Sequence, residues 1–310
     1  MEILTNKETM KTFVATKFGS PDHLKLVNVE KPIPRDDEVL IKVHASTVTI
    51  GDTILLNLKF PFWLLLQIFG VKRKKYPGHE FAGIIEAVGK DVALFKKGDQ
   101  VFGTTSGLDV GANAEYVCLP EKRSKGVLVL KPSNMSFEKA AAVPIGGMTA
   151  LHILRKGNIQ PGQKVLVYGA SGSVGSFGVQ IAKALGAEVT GVCSTTNLEM
   201  VSNLGADEVI DYTQENFTKN DELYDVIFDA VIKTSAKACE NSLTKNGKFL
   251  SARSSTNETN EKLEFLKELI ESGKLTSVID RSYPLDKVPE AYHYVSKGHK
   301  IGNVVIKIQD

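Results

Sequence analysis

The chain has 310 residues, 42% of them apolar and 24% charged, with a formal net charge of +2. At about 150 residues per domain, this length predicts two domains and a core that needs no covalent staples. The near-neutral charge excludes a strongly basic nucleic-acid binder. The three distant cysteines, Cys118, Cys193 and Cys239, exclude a disulfide scaffold and a four-cysteine zinc site, and predict a reducing, cytoplasmic compartment. The first ten residues, MEILTNKETM, hold no apolar h-region and predict no secretory leader.

Strands are predicted at 11–19, 24–32 and 38–46, with Pro32, Pro34 and Arg35-Asp36-Asp37 turning the chain between the last two. Segments 81–89, 99–104 and 114–120 continue the pattern, so residues 11 to 130 read as a β-rich domain. Composition changes at Ser136. Residues 137–157 are helical in character, broken by Pro144 and Gly146-Gly147. Apolar strands at 164–170, 187–194, 208–212, 224–231 and 247–252 then alternate with helices at 173–186, 197–205, 235–243 and 260–274. Such alternation predicts an α/β domain with a doubly wound parallel sheet. The tail, with VIDRSYPL (278–285) and NVVIKI (303–308), returns to strands.

The sharpest motif is Gly169-Ala170-Ser171-Gly172-Ser173-Val174-Gly175, set between the strand VLVY and an amphipathic helix. Glycines there turn the backbone off the strand, let it approach a pyrophosphate, and pack the helix close. The helix N-terminus then faces the anion. An NAD site carries an acid at the end of the second strand, about 20 residues on, for the ribose 2′-hydroxyl. Residues 192–197, VCSTTN, contain none. Hydroxyls and amides can donate to a 2′-phosphate, which favours NADPH, with Ser194 first and Thr195 and Asn197 next. No Arg or Lys lies in this stretch, so Lys183 or Tyr212 are the further contacts considered. The alternative is that Ser-Thr-Thr-Asn only caps a helix.

These segments, together with AAAVPIGGMTALHIL, PGHEFAGIIEAVGKDVALFKKGDQVFG (77–103), LGADEVIDY and GHKIGNVVI (298–306), resemble the medium-chain dehydrogenase/reductase superfamily. More narrowly, they are similar to its zinc-independent quinone oxidoreductase-like branch, over residues 11 to 310. The resemblance implies a GroES-like β-rich domain at 11–135 with 273–310 and a Rossmann NADPH-binding domain at 136–272. It implies reduction of a quinone or an α,β-unsaturated carbonyl by NADPH. Where zinc-dependent relatives carry ligands, this chain has Thr49, His79 and Ile145, so only the histidine remains and no metal is expected. Thr49 and His79 are the candidate hydrogen-bond donors to the reduced substrate, and Asp52 matches an Asp of the family's loop. By position alone, Thr149, Ala230, Val231, Gly302 and Asn303 are expected at the cofactor. The rival readings are a zinc-type alcohol dehydrogenase and a non-catalytic NADPH-binding sensor or structural protein.

Two stretches depart from the family. Phe60–Lys75 reads FPFWLLLQIFGVKRKK, and its apolar run Phe60–Val71 is about half as long as the roughly 20 residues of a spanning helix. It is read as a cleft wall, a core or subunit contact, or a weak membrane-surface contact. Leu250–Asn260 is short and polar where relatives carry a further strand, which leaves a homo-oligomer in doubt. The expected partner is a small molecule, not nucleic acid.

Overall fold

The computed structural model describes residues 8–57, 75–253 and 256–309. The chain divides into two compact units. The first comprises residues up to Lys131, Met135–Ala142 and everything from Ile279; the second is Pro132–Asn134 with Val143–Val278.

In the first unit, β1 (Thr9–Ala15) and β2 (Leu24–Glu30) form an antiparallel ribbon. The long strand β3 (Glu38–Val48) is the organising element. Its first half pairs with β6 (Tyr116–Pro120) and its second with β14 (Asn303–Lys307). Its other edge pairs with β4 (Glu80–Val88), with register shifts at Leu40/Ile41 and Val43/Ala45. Such bulges bend a strand, which lets one strand serve several partners. The sheet runs β13-β14-β3-β4-β5-β7, with β5 at Gln100–Thr104, β7 at Leu128–Leu130 and β13 at Ile279–Pro284. Val39, Ile41, Val43, Phe81, Ile85 and Leu119 fill one core. Phe13, Leu24, Val48, Val304 and Ile306 fill another, with Tyr292.

Three elements here differ from the sequence reading. Helix α1 (Ile50–Asn57) follows β3 directly. Helix α2 (Phe137–Ala141) belongs to the first unit, where Phe137 stacks on His44 with ring centroids 4.3 Å apart. The units therefore part after Ala142 and after Val278, where the sequence reading puts the boundaries at 135/136 and 272/273. The tail is also not all strand. Between β13 and β14 lies a helix over Val288–Ser296, whose Val288, Ala291, Tyr292 and Val295 face inward at helical spacing.

The second unit holds a parallel sheet, β10-β9-β8-β11-β12. The strands are β8 (Lys164–Tyr168), β9 (Glu188–Cys193), β10 (Glu208–Asp211), β11 (Tyr224–Asp229) and β12 (Leu243–Ser251). The chain winds outward from β8 to β10, then returns and winds outward through β11 to β12. This is the expected doubly wound order, with its switch point between β8 and β11. Its helices are α3 (Pro144–Gly157), α4 (Ser173–Ala184), α5 (Leu198–Asn203) and α6 (Asn260–Glu271), which makes Val288–Ser296 helix α7. The predicted helix at 235–243 is absent. Turns and a short 3-10 segment, Glu240–Ser242, occupy it, and β12 starts at Leu243. Just before this stretch, the buried Asp229 carboxylate accepts the backbone N–H groups of Val231, Lys233 and Thr234 and folds the chain into a tight turn. Among the described residues no further strand extends this parallel sheet beyond β12.

Candidate active site

In the first unit, α1 opens with a reciprocal cap. The Thr49 hydroxyl accepts the Asp52 N–H at 3.1 Å, and Asp52 Oδ2 accepts the Thr49 N–H at 2.8 Å and its hydroxyl at 2.6 Å. Asp52 Oδ1 faces His79 Nδ1. The three predicted residues thus form one chain of hydrogen bonds. Asp52 is buried, and His79 keeps 20% of its side chain exposed. Burial pushes the Asp52 carboxyl up, but His79 and Thr49 outweigh it and hold it below its ordinary value. Asp52 is therefore an anion that orients the imidazole, with Nε2 turned away from it.

His79 sits where two chain segments meet closely. Gly78 has φ +93°, and a Cβ on it would lie 2.6 Å from the Asn113 backbone nitrogen. The next residue, Glu80, is buried and accepts the Thr47 hydroxyl. The motifs do not single out two further groups, Tyr292 near Asp52 and Lys300 near Glu80. Burial, and then the Asp52 charge, raise the Tyr292 hydroxyl well above its ordinary pKa. Burial pulls Lys300 down to about 8 against the opposing pull of Glu80 and Asp280. Lys300 Nζ donates to the Gly302 carbonyl, at the entry to β14, and the next residue, Asn303, is buried. Nothing local marks either group, because both are defined by what the fold packs around them.

The donor set suits zinc poorly. A catalytic zinc takes three good protein ligands. Of the three ligand positions, Thr49 and Ile145 bring no good zinc donor, so His79 stands alone. Among the described residues no three His, Cys, Asp or Glu side chains converge.

In the second unit, the Gly169–Gly175 turn joins β8 to α4 at the carboxyl end of the sheet. Gly169 and Ala170 both donate to the Val192 carbonyl at 2.9 Å, which ties the turn to β9. Gly169 has φ +81°, and a Cβ on it would strike Val231. A Cβ on Gly175 would lie 2.1 Å from the Gly169 oxygen. At Gly172 a Cβ would meet nothing nearer than 3.5 Å, so the turn is open there, and this residue caps α4 without a side chain. Ser171, Ser173 and Val174 are half-buried around it. The open cradle and the side-chain-free helix N-terminus fit a dinucleotide pyrophosphate. Ala230 and Val231 follow β11 directly beside the turn, at the switch point, and Ala230 donates to the Tyr168 carbonyl at 3.0 Å.

Thr149 is buried on α3, with its hydroxyl against that of Thr256. Ser194 is half-buried, Thr195 exposed and Asn197 buried, with Asn197 Nδ2 donating to Ser194 Oγ at 3.0 Å. Neither Ser194 nor Asn197 caps a helix with its side chain, which removes the cap reading. Lys183 does not reach this end: it pairs with Asp207 at 2.7 Å and the Ala187 carbonyl at 3.1 Å, before β9 begins. Tyr212 does, with 54% of its surface exposed and its N–H on the Cys193 carbonyl at 3.1 Å. The acid missing from the second strand has a neighbour in the third. Asp211, the last residue of β10, accepts the Thr195 hydroxyl. Segment Phe60–Lys75 lies, except for Lys75, outside the described residues.

Residues 35–132 match the alcohol dehydrogenase GroES-like domain, and residues 173–272 and 251–306 match zinc-binding dehydrogenase families. The 2-methylene-furan-3-one reductase of Solanum lycopersicum is 35% identical, over 96% of this chain and 79% of its own. The chloroplastic NADPH-dependent alkenal/one oxidoreductase of Arabidopsis thaliana is 34% identical over the same shares. Among solved structures, the quinone oxidoreductase from Coxiella burnetii is 27% identical with a TM-score of 0.80, covering 97% of this chain and all of that one. On the paired domains, the glycine turn and these relatives, the chain belongs to the medium-chain dehydrogenase/reductase superfamily, in its quinone oxidoreductase-like branch.

Proposed function

We propose that this chain is an NADPH-dependent reductase of α,β-unsaturated carbonyl compounds or quinones that works without zinc. The observation that carries the reading is the Gly169–Gly175 turn, closed on its own carbonyl and open at Gly172. The relatives named as alkenal/one and quinone oxidoreductases support the substrate class. Thr49 and Ile145 at the other two ligand positions leave His79 alone, which supports zinc-free chemistry.

NADPH supplies a hydride from its nicotinamide ring. The turn and the first turn of α4 hold its pyrophosphate, and Val231 walls the turn on the β11 side. Hydride addition to an electron-poor carbon leaves negative charge on the substrate oxygen, which a placed hydrogen-bond donor stabilises. His79 is that donor, through Nε2, and Asp52 keeps the ring oriented. Thr49 holds Asp52 in place. The three cysteines are free, and burial raises each thiol, which supports unreactive thiols in a reducing compartment.

The test is NADPH oxidation at 340 nm with an enal, a quinone and a saturated aldehyde, each with and without a chelator. Chelator-insensitive turnover of enal or quinone is expected. Chelator-sensitive turnover of the aldehyde alone would establish the zinc-type alcohol dehydrogenase instead. Cofactor binding without turnover of any substrate would establish the sensor.

A further inference from the structure

We propose that the Lys300 amine is a covalent modification site that captures small α,β-unsaturated aldehydes by conjugate addition. The electrophile comes from the substrate class proposed above, and the reactivity is the amine's own. Lys300 lies between α7 and β14 and is half-buried, so its amine is crowded yet reachable. Among the described residues the Gly302 carbonyl is its one acceptor, which leaves two of the three N–H groups of an ammonium unmet. Carboxylates from two strands face it, Glu80 on β4 and Asp280 on β13, and neither closes an ion pair with it. Glu80 Oε2 accepts the Thr47 hydroxyl. Asp280 Oδ2 accepts the Tyr294 hydroxyl at 2.6 Å and the Ile301 N–H at 3.0 Å. By contrast, Lys164, Lys183 and Lys287 each stand 2.7 Å from a carboxylate oxygen.

An ammonium so poorly solvated is relieved by losing a proton. Burial accordingly pulls Lys300 down to about 8 against the two carboxylates. About one amine in ten is then neutral at pH 7, where an ordinary lysine has about one in 2,500. The neutral amine is the nucleophile of lysine chemistry. Its lone pair forms a bond to the enal β-carbon, the C=C electron pair shifts to the α-carbon, and a proton from the nitrogen follows it there. Nothing leaves and nothing is oxidised, so the chain gains the mass of one enal. The thiols that would compete are withdrawn, because burial raises Cys118, Cys193 and Cys239 alike.

The test is exposure of the full chain, without NADPH, to crotonaldehyde over a pH series, then borohydride fixing, digestion and mass spectrometry. The chain's terminal amine has a similar ordinary pKa and is counted apart. Lys300 is expected to carry the first lysine adduct at pH 7, about tenfold faster than a surface lysine, because its lower basicity takes back part of the gain in neutral amine. Its rate should rise to about pH 8 and level off, while that of surface lysines climbs past about pH 10. Lys300→Arg should lose the adduct, and should that variant not fold, the wild-type pH series decides alone. Labelling spread over surface lysines, labelling first at a cysteine, or a Lys300 rate that keeps climbing overturns the inference. So does an adduct that has lost the enal oxygen, which marks attack at the carbonyl carbon. Labelling of Lys300 in a chain that reduces no enal would overturn only the reductase, and turnover without labelling only this inference.

Discussion

Among the described residues, Ile232 is the one β-branched residue with a left-handed backbone, at φ 59°. Such a residue costs about 1–3 kcal/mol and persists only where its surroundings impose it. Here the imposition is Asp229, which draws in the N–H groups of Val231, Lys233 and Thr234 around it. The turn flanks the glycine turn at the switch point of the sheet. Ile232→Gly should relieve the strain and raise stability by about 1 kcal/mol in urea unfolding. A loss of stability would mean that the exposed isoleucine side chain holds the turn. No local rule predicts Ile at such a position, so the sequence reading gives 224–231 as a strand and passes over the turn that ends it.

At the scale of elements, α1 shows how a short helix becomes a site. Eight residues form a marginal helix, and the Thr49–Asp52 cap with His79 fastens its first turn. Asp52 has its pKa lowered on folding, so its contribution is present above the unfolded value and is lost as pH falls through the folded one. Stability should therefore drop below about pH 4, and Asp52→Asn should flatten that part of a pH series of urea midpoints. An unchanged slope would show that the ion pair adds nothing. The candidates Thr49, His79 and Asp52 are legible because the family resemblance points to them. Their linkage is not, since His79 and Asp52 lie 27 residues apart. Helix α7 has its inward residues at i, i+3, i+4 and i+7, a pattern present in the sequence yet overshadowed by the flanking strands of the tail.

For the molecule as a whole, the sheet of the second unit ends at β12. Lys245, Asn246 and Lys248 are exposed along it, and Lys248 Nζ folds back to the Gly157 carbonyl at the end of α3. Lysines on an edge strand oppose pairing with another edge. Two copies should not join through β12, and light scattering after size exclusion should report a monomer. A dimer abolished by substitutions in β12 would refute this. Among the described residues, no helix is long and apolar enough to cross a membrane.

Periodicity and punctuation along the chain determine the two domain classes, the parallel winding and the glycine turn, because each depends on residues within a few positions of one another. The NADPH reading of the Ser194 loop is likewise local, as an absence of acid. Tertiary structure alone decides what stands beside that loop. Asp211 reaches Thr195 from 16 residues away, on a neighbouring strand. The same holds for Lys300 and Tyr292, whose proton affinities depend on burial and on Glu80, Asp280 and Asp52. Charge acts through space and side chains meet across strands, so the order of residues names the chemical groups while the fold selects which of them act on each other.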